Sequence, residues 1–534
     1  MTMTLRLITL LAGFSLAVAS EARAQTRPEG ASAQPPRELQ MHRYQREVEY
    51  STLSPGGTLK KIEQFFAADS GSLAVVERRS LPGSRQIPLP VRRIAATGAH
   101  PAEPLFYLSG GPGQSNLASF GVDYFIDRHD YVTVGYRGAD GPVSLDCPEV
   151  SAAIEASGDL LDLESRERVA RAFESCSRRL RASGVDIDGY TVADVADDLE
   201  EARRALGYES ISILAESYGT RVALVYAMKY PASIRRMILL GTNPPGHMVW
   251  SAETSDALLR RYAQLWRQDS AASRRAPDLE EVFRTVNRQM PKRWLLFPIR
   301  EGTVKASVFT FLFHRETAAQ AFDAYVAAAN GDASGLWLIS AASAYIYPDI
   351  VNWGDNASKA VSADFEPGKD YFRDLMPEGA LHGAPLGSFL WAPAQTGSWP
   401  IAMMSDEYRK ARPCSVQTLF LSGSLDFSTP AENVERELVP LFPNGHHVVM
   451  AEMGHVGDLW KASPAQTKKI LTTFLEEGAV SQEPPRVLPM NFEVNVGFPV
   501  LAKLVVGGGA LIVILAATGL AWLTRRLVRR ARAR

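Results

Sequence analysis

Cysteine is scarce in this chain: three in 534 residues, Cys147, Cys176 and Cys414. So few exclude a disulfide scaffold, and none stands in the CxxC spacing of a metal site. An odd number leaves at most one pair and one free thiol. Cys147 and Cys176 are the nearer two in sequence, and they form the candidate disulfide. A basic surplus is also missing from the body of the chain. The formal net charge is −2; residues 1–24 carry +1 and residues 503–534 carry +7, so residues 25–502 carry −10. An acidic body argues against nucleic acid as a partner.

Two apolar runs stand out. The first, Leu7 to Ala19, follows a basic start and precedes Ala22-Arg23-Ala24 and Gln25. That pattern reads as a secretory signal peptide over 1–24. The second, Leu504 to Leu523, has no charge and about the length a bilayer core requires. Arg525, Arg526, Arg529, Arg530, Arg532 and Arg534 follow it, and the positive-inside rule puts such a tail in the cytoplasm. The expectation is an exported body with a single transmembrane helix at 504–523 and a cytoplasmic tail at 524–534. The body would then sit on the periplasmic side of the inner membrane, where a disulfide is permitted.

Between these ends the chain alternates strand-like and helix-like segments. Short apolar runs at Pro104 to Leu108, Tyr131 to Val134, Ile211 to Ala215, Ile234 to Leu240, Val416 to Leu421 and His447 to Ala451 read as buried strands. Residues 191–206 read as a helix with Thr191 as N-cap and a stripe of Val192, Val195, Leu199, Ala202 and Leu206. The alternation stops from 247 to 412, where the sequence is helical and aromatic-rich. The expected architecture is an α/β fold: a mostly parallel sheet, helices on both faces, and an inserted helical cap. The expected boundaries are a first core part at 25–246, the cap at 247–412, a second core part at 413–480 and a linker at 481–503.

The chemistry gathers where strands end. Ala215-Glu216-Ser217-Tyr218-Gly219 is a small–x–Ser–x–Gly turn between a strand and a helix. Such a turn pushes the serine hydroxyl out of the sheet, and its flanking small residues let the two backbones approach. Asp426 and His455 follow two later strands. Serine, acid, histidine is the chain order of an α/β-hydrolase triad. The expected roles are Ser217 as nucleophile, His455 as general base and then acid, and Asp426 as the orienting carboxylate. His446 and His447 start a strand and so lie at the wrong edge of the sheet, while Asp458 is a local rival to Asp426. The oxyanion donors would be the N–H of Tyr218 and an N–H of the cluster Gly110-Gly111-Pro112-Gly113, with Gly111 favoured because Pro112 has none.

Taken with Tyr136-Arg137-Gly138, Tyr190-Thr191, Ser217-Tyr218-Gly219-Thr220-Arg221, Gly423-Ser424-Leu425-Asp426, Thr429-Pro430 and Gly454-His455, that cluster resembles the prolyl aminopeptidase and tripeptidyl aminopeptidase group of α/β-hydrolases. The resemblance covers roughly 85–245 and 410–478. It implies a serine peptidase that takes peptides from the N-terminus, with the cap closing the cleft. There are departures. Ser109 stands where the group has histidine, Gly135 where it has an acid, and Ala215 where it has glycine, while Gly138-Ala139-Asp140-Gly141-Pro142 breaks a Gly-x-Gly-x-Ser pattern.

An aminopeptidase must hold a free ammonium, which calls for a carboxylate near the scissile bond. The candidates are Glu216, beside the nucleophile, and cap acids such as Glu280, Glu281 and Asp349, and the sequence does not choose among them. No metal or organic cofactor is implied. Two other readings stand beside the peptidase: an esterase or amidase on a small non-peptide substrate, and an inactive hydrolase fold kept as a binding module.

Overall fold

The computed structural model of the chain describes residues 42–53, 59–117, 120–462, 464–480 and 488–509. Nine strands form one sheet. They are β1 (His42–Leu53), β2 (Leu59–Val76), β3 (Gln86–Ile94), β4 (Leu105–Leu108), β5 (Tyr131–Val134), β6 (Ile211–Glu216), β7 (Ile234–Leu240), β8 (Gln417–Gly423) and β9 (Gly445–Met450). Their order is β1-β2-β3-β5-β4-β6-β7-β8-β9. The first three are antiparallel to their neighbours, and from β5 to β9 every pairing is parallel. β4, β5 and β6 are buried at every position, and β7 at every position but Arg235. This is why they read as largely apolar runs, since a parallel strand has helices on both faces.

One face of the sheet is covered by Val192–Ala205 and Tyr218–Lys229, with the cap beyond. The other is covered by Val122–Phe125, Val456–Ala462 and Pro464–Glu477. Thr191 caps the first of these helices in a reciprocal capping box with Asp194. Cys147 and Cys176 are joined in a disulfide between the helices Pro148–Glu155 and Leu163–Ala182.

The cap runs from the helix Ala252–Gln268 to the helix Asp406–Arg409. It also holds a two-stranded ribbon, Arg293–Trp294 with Phe297–Pro298, which helical periodicity did not announce. Its interior is aromatic: Phe283 stacks on Tyr325 at 4.3 Å, and Trp266 meets Phe322.

The C-terminal stretch requires a correction. Among the described residues no helix is long and apolar enough to cross a membrane. The expected transmembrane helix, and with it a single-pass inner-membrane placement, is therefore not supported. Residues 498–509 are helical, but the start of that helix is packed on the cap. A Cβ on Gly335 would lie 3.0 Å from Pro499, Phe498 meets Phe311 at 5.5 Å, and Lys503 pairs with Asp332 at 2.6 Å. Ahead of it Phe492 packs on Trp266 at 5.1 Å, so the described part of the expected linker is a strap along the cap. The rest of the expected span, 510–523, the tail 524–534 and the signal peptide 1–24 lie outside the described residues.

Candidate active site

The sheet carries its chemistry at one edge, the carboxyl ends of its parallel strands. β6 ends at Glu216, and the next residue, Ser217, sits at φ 50, ψ −121 before the helix Tyr218–Lys229 begins. Among the described residues only Leu295 and Glu452 are other non-glycines at positive φ. Such a conformation persists only where its surroundings over-determine it. Here the Ser217 N–H donates to Leu240 O at 2.9 Å, and the Thr220 N–H returns to Ser217 O at 3.0 Å. Gly219 allows the close approach: a Cβ there would strike the carbonyl of Leu108 at the end of β4.

Asp426 and His455 leave β8 and β9 toward the same place. His455 Nδ1 lies 2.8 Å from Asp426 Oδ2, with Asp426 fully buried. Asp426 also accepts from the N–H groups of Ser428 and Thr429, each at 2.8 Å, and from Thr429 Oγ1 at 2.8 Å. Thr429 is a site residue that spacing did not single out, although Thr429-Pro430 is visible in the sequence. With Nδ1 held by the carboxylate, Nε2 is the nitrogen left for a substrate-side proton. Burial lowers the affinity of His455 for its proton, but the Asp426 carboxylate outweighs that and the net pKa is raised. His455 closes against Gly241 at the end of β7, the strand whose Leu240 holds Ser217.

The rivals are placed elsewhere. Asp458 accepts from the N–H groups of Gly454 and Arg315, each at 3.0 Å, and so holds the loop under His455. His447, within β9, lies 2.9 Å from Glu435 and 3.1 Å from Ser422 Oγ.

The glycine cluster lies over the serine. A Cβ on Gly110 would lie 3.2 Å from Ser217 Cβ, and Gly111 takes φ 130, which only glycine adopts freely. The Gly111–Pro112 peptide is cis. The Tyr218 N–H is the first of its helix, and N-terminal donors lack intrahelical acceptors.

Glu216 is not placed for a substrate ammonium. It is buried, and its oxygens accept from Tyr107 Oη at 2.9 Å and Trp460 Nε1 at 2.5 Å. Burial pushes its carboxyl up to about 7, against the lowering effect of those donors and of His455. The cap acids Glu280 and Glu281 lie beside arginines, Arg267 at 3.5 Å and Arg288 at 3.7 Å. Asp349 sits in the short turn Tyr347–Asp349.

A model of the alpha/beta hydrolase fold matches residues 165–462, more than half of the chain. The chain belongs to the alpha/beta hydrolase fold family. Its sequence is similar to a tripeptidyl aminopeptidase of Streptomyces lividans, 29% identical over 187 residues, 32% of this chain and 34% of that protein. It is also similar to the serine protease Hip1 of Mycobacterium bovis, 31% identical over 224 residues, 39% of each chain. These matches thus span a third to two fifths of the relatives' length. Among solved structures, a thermophilic esterase from Thermogutta terrifontis aligns at TM-score 0.35 and 16% identity over 76% of this chain and 98% of its own, too loosely to carry an argument. In this alpha/beta hydrolase the sheet edge holds a strained serine, a carboxylate–imidazole pair and a glycine loop, the parts that acyl transfer requires.

Proposed function

We propose that the protein is an exported serine peptidase that releases short peptides from the N-termini of peptide substrates. The observation that carries this reading is the strained Ser217 at the edge where the Asp426–His455 pair also converges. The names of its relatives support peptide substrates, and the Cys147–Cys176 disulfide supports a compartment outside a reducing cytoplasm.

Catalysis then runs in two halves. Ser217 Oγ attacks the scissile carbonyl carbon as His455 Nε2 takes its proton, and Asp426 stabilises the imidazolium. The carbonyl oxygen becomes an oxyanion, held by the N–H groups of Gly111 and Tyr218. The C–N bond breaks as His455 returns the proton to the leaving amine, which leaves an acyl-Ser217. Water, deprotonated by His455, attacks the ester carbonyl; the acyl C–Oγ bond breaks as His455 returns that proton to Ser217 Oγ, and the N-terminal peptide is freed as an acid.

The test is chromophore release from short peptides, each with a free and an acetylated N-terminus, by wild type and Ser217→Ala. Cleavage of the free forms alone, lost in the variant, is the expected result. Equal cleavage of blocked forms, or of simple esters only, would move the assignment to an esterase or amidase.

A further inference from the structure

The glycine loop is anchored from two sides. On the core side Asn116 Oδ1 accepts from the Ser109 N–H at 2.6 Å, and Tyr136 Oη donates to Ser109 O at 3.0 Å. Asn116 is itself fixed, donating to Tyr107 O at 3.1 Å and Val134 O at 2.9 Å. On the far side the anchors belong to the cap. Asn352 donates its backbone N–H to Gly113 O at 2.8 Å, and Asn356 Nδ2 donates to Pro112 O at 3.1 Å. Only Gly110 and Gly111 remain between the two sets of anchors. A Cβ on Gly113 would lie 2.7 Å from Asn352 O and 3.2 Å from Asn356 Cβ, so the loop is seated directly on this turn.

That turn opens the cap helix Trp353–Asp364, with Asn352 as its N-cap through the Asp355 N–H. The same helix is fastened along its length. Asn352 Nδ2 donates to Gly138 O at 3.1 Å and Ser144 Oγ at 2.7 Å. Lys359, fully buried, donates to Arg137 O at 3.1 Å and Tyr190 O at 2.9 Å, with Asp355 3.0 Å away. At the far end Asp364 pairs with Arg221 at 2.9 Å, inside the helix that begins at Tyr218. One rigid helix therefore grips the loop that carries Gly111 at its start and the helix that carries Tyr218 at its end.

We infer that the cap helix Trp353–Asp364 sets the geometry of the oxyanion site, with Asn356 and Asn352 as positioning residues for the Gly111 N–H. This rests on the acyl-transfer reading of Ser217. A glycine pair freed on one side regains backbone freedom, and donors displaced by a fraction of an ångström lose stabilisation that is made only in the transition state. The cap helix thus holds the reacting groups in register.

The experiment compares Asn356→Ala and Asn356→Asp with Asn287→Ala in the full chain. The Asn356→Asp side chain keeps its size but cannot donate to Pro112 O. Asn287 bonds Leu381 O at 2.8 Å elsewhere in the cap and controls for cap stability. Each is assayed on the acyl substrate the wild type turns over best, and for inhibition by a peptidyl trifluoromethyl ketone, whose Ser217 adduct carries an oxyanion. Both Asn356 variants should lose about tenfold in kcat with KM within about twofold. Their ketone affinity should fall in parallel, while Asn287→Ala keeps wild-type kcat. Unchanged kcat and ketone affinity in folded Asn356 variants would overturn the positioning role alone. A wild type with no Ser217-dependent turnover of any acyl substrate would overturn the peptidase reading and this role with it.

Discussion

The sheet edge and the cap divide the candidate site between them. The edge supplies the groups that would react: Ser217, Asp426, His455 and the N–H groups of Gly111 and Tyr218. The cap and the segment leading into it supply braces against each of these but Ser217. Phe313 O accepts from the His455 N–H at 2.6 Å. Trp250 Nε1 donates to Ser428 O at 2.9 Å, beside Asp426. Asn352 and Asn356 hold the glycine loop, and Asp364 holds Arg221. Reacting groups and restraints thus come from different parts of the chain. The two classes should fail differently when broken, the first in chemistry and the second in geometry or stability.

The largest effects should follow from the edge. Ser217→Ala should remove activity by on the order of 10⁴-fold or more without changing the fold, read by single-turnover kinetics and circular dichroism. Asp426→Asn should cost roughly 10³–10⁴-fold in kcat, because the imidazole loses the partner that fixes its tautomer.

The cap's ionic brace should fail as stability. Arg221 and Asp364 are both fully buried, and Arg221 leaves Nε and Nη1 without a partner. Burial lowers the Arg221 pKa, and the Asp364 charge opposes that. Arg221→Met strands the Asp364 carboxylate and should cost about 3–5 kcal/mol in denaturant unfolding. Adding Asp364→Leu should recover much of that loss, since a well-packed apolar pair tolerates burial. A double variant no more stable than the single would show that the pair is not coupled.

This division also explains what could be read from the sequence. Strands buried on both faces are largely apolar, so Ile211-Ser212-Ile213-Leu214-Ala215 and Ile234 to Leu240 announce themselves. A reacting triad needs fixed residue types at strand ends, so Ser217, Asp426 and His455 could be chosen together. The braces have no such signature. Asn352 contributes a backbone N–H and Asn356 a side-chain amide, groups common along any chain, and their partners lie more than 200 positions away. Glu216 misled because adjacency to the nucleophile says nothing about direction. Its carboxyl turns to Tyr107 and Trp460. The apolar run from Leu504 misled because composition alone gave it a span that the described residues do not support; the helix it continues is held to the cap ahead of it, through Pro499 and Lys503.

The smallest effect concerns Glu216, and it tests the edge alone. Its pKa is raised from 4.5 to about 7, so between those values the folded state binds a proton the unfolded chain has released. Stability therefore falls as pH rises across that window, by at most about 3 kcal/mol. Glu216→Gln should flatten the fall, measured by urea unfolding at pH 4.5 and 7.5. The ionised Glu216 also raises the His455 pKa, after the larger effects of burial, which lowers it, and Asp426, which raises it. The same variant should therefore shift the acid limb of the kcat/KM profile to lower pH. A limb that does not move would mean the two groups are not coupled.

The most direct measurement is the site of attack by a serine-directed fluorophosphonate on the intact protein, mapped by peptide mass spectrometry. The account predicts one phosphonylated residue, Ser217, with labelling abolished in Ser217→Ala and slowed in Asp426→Asn. Labelling that persists in Ser217→Ala, or a wild type that does not label at all, would contradict it.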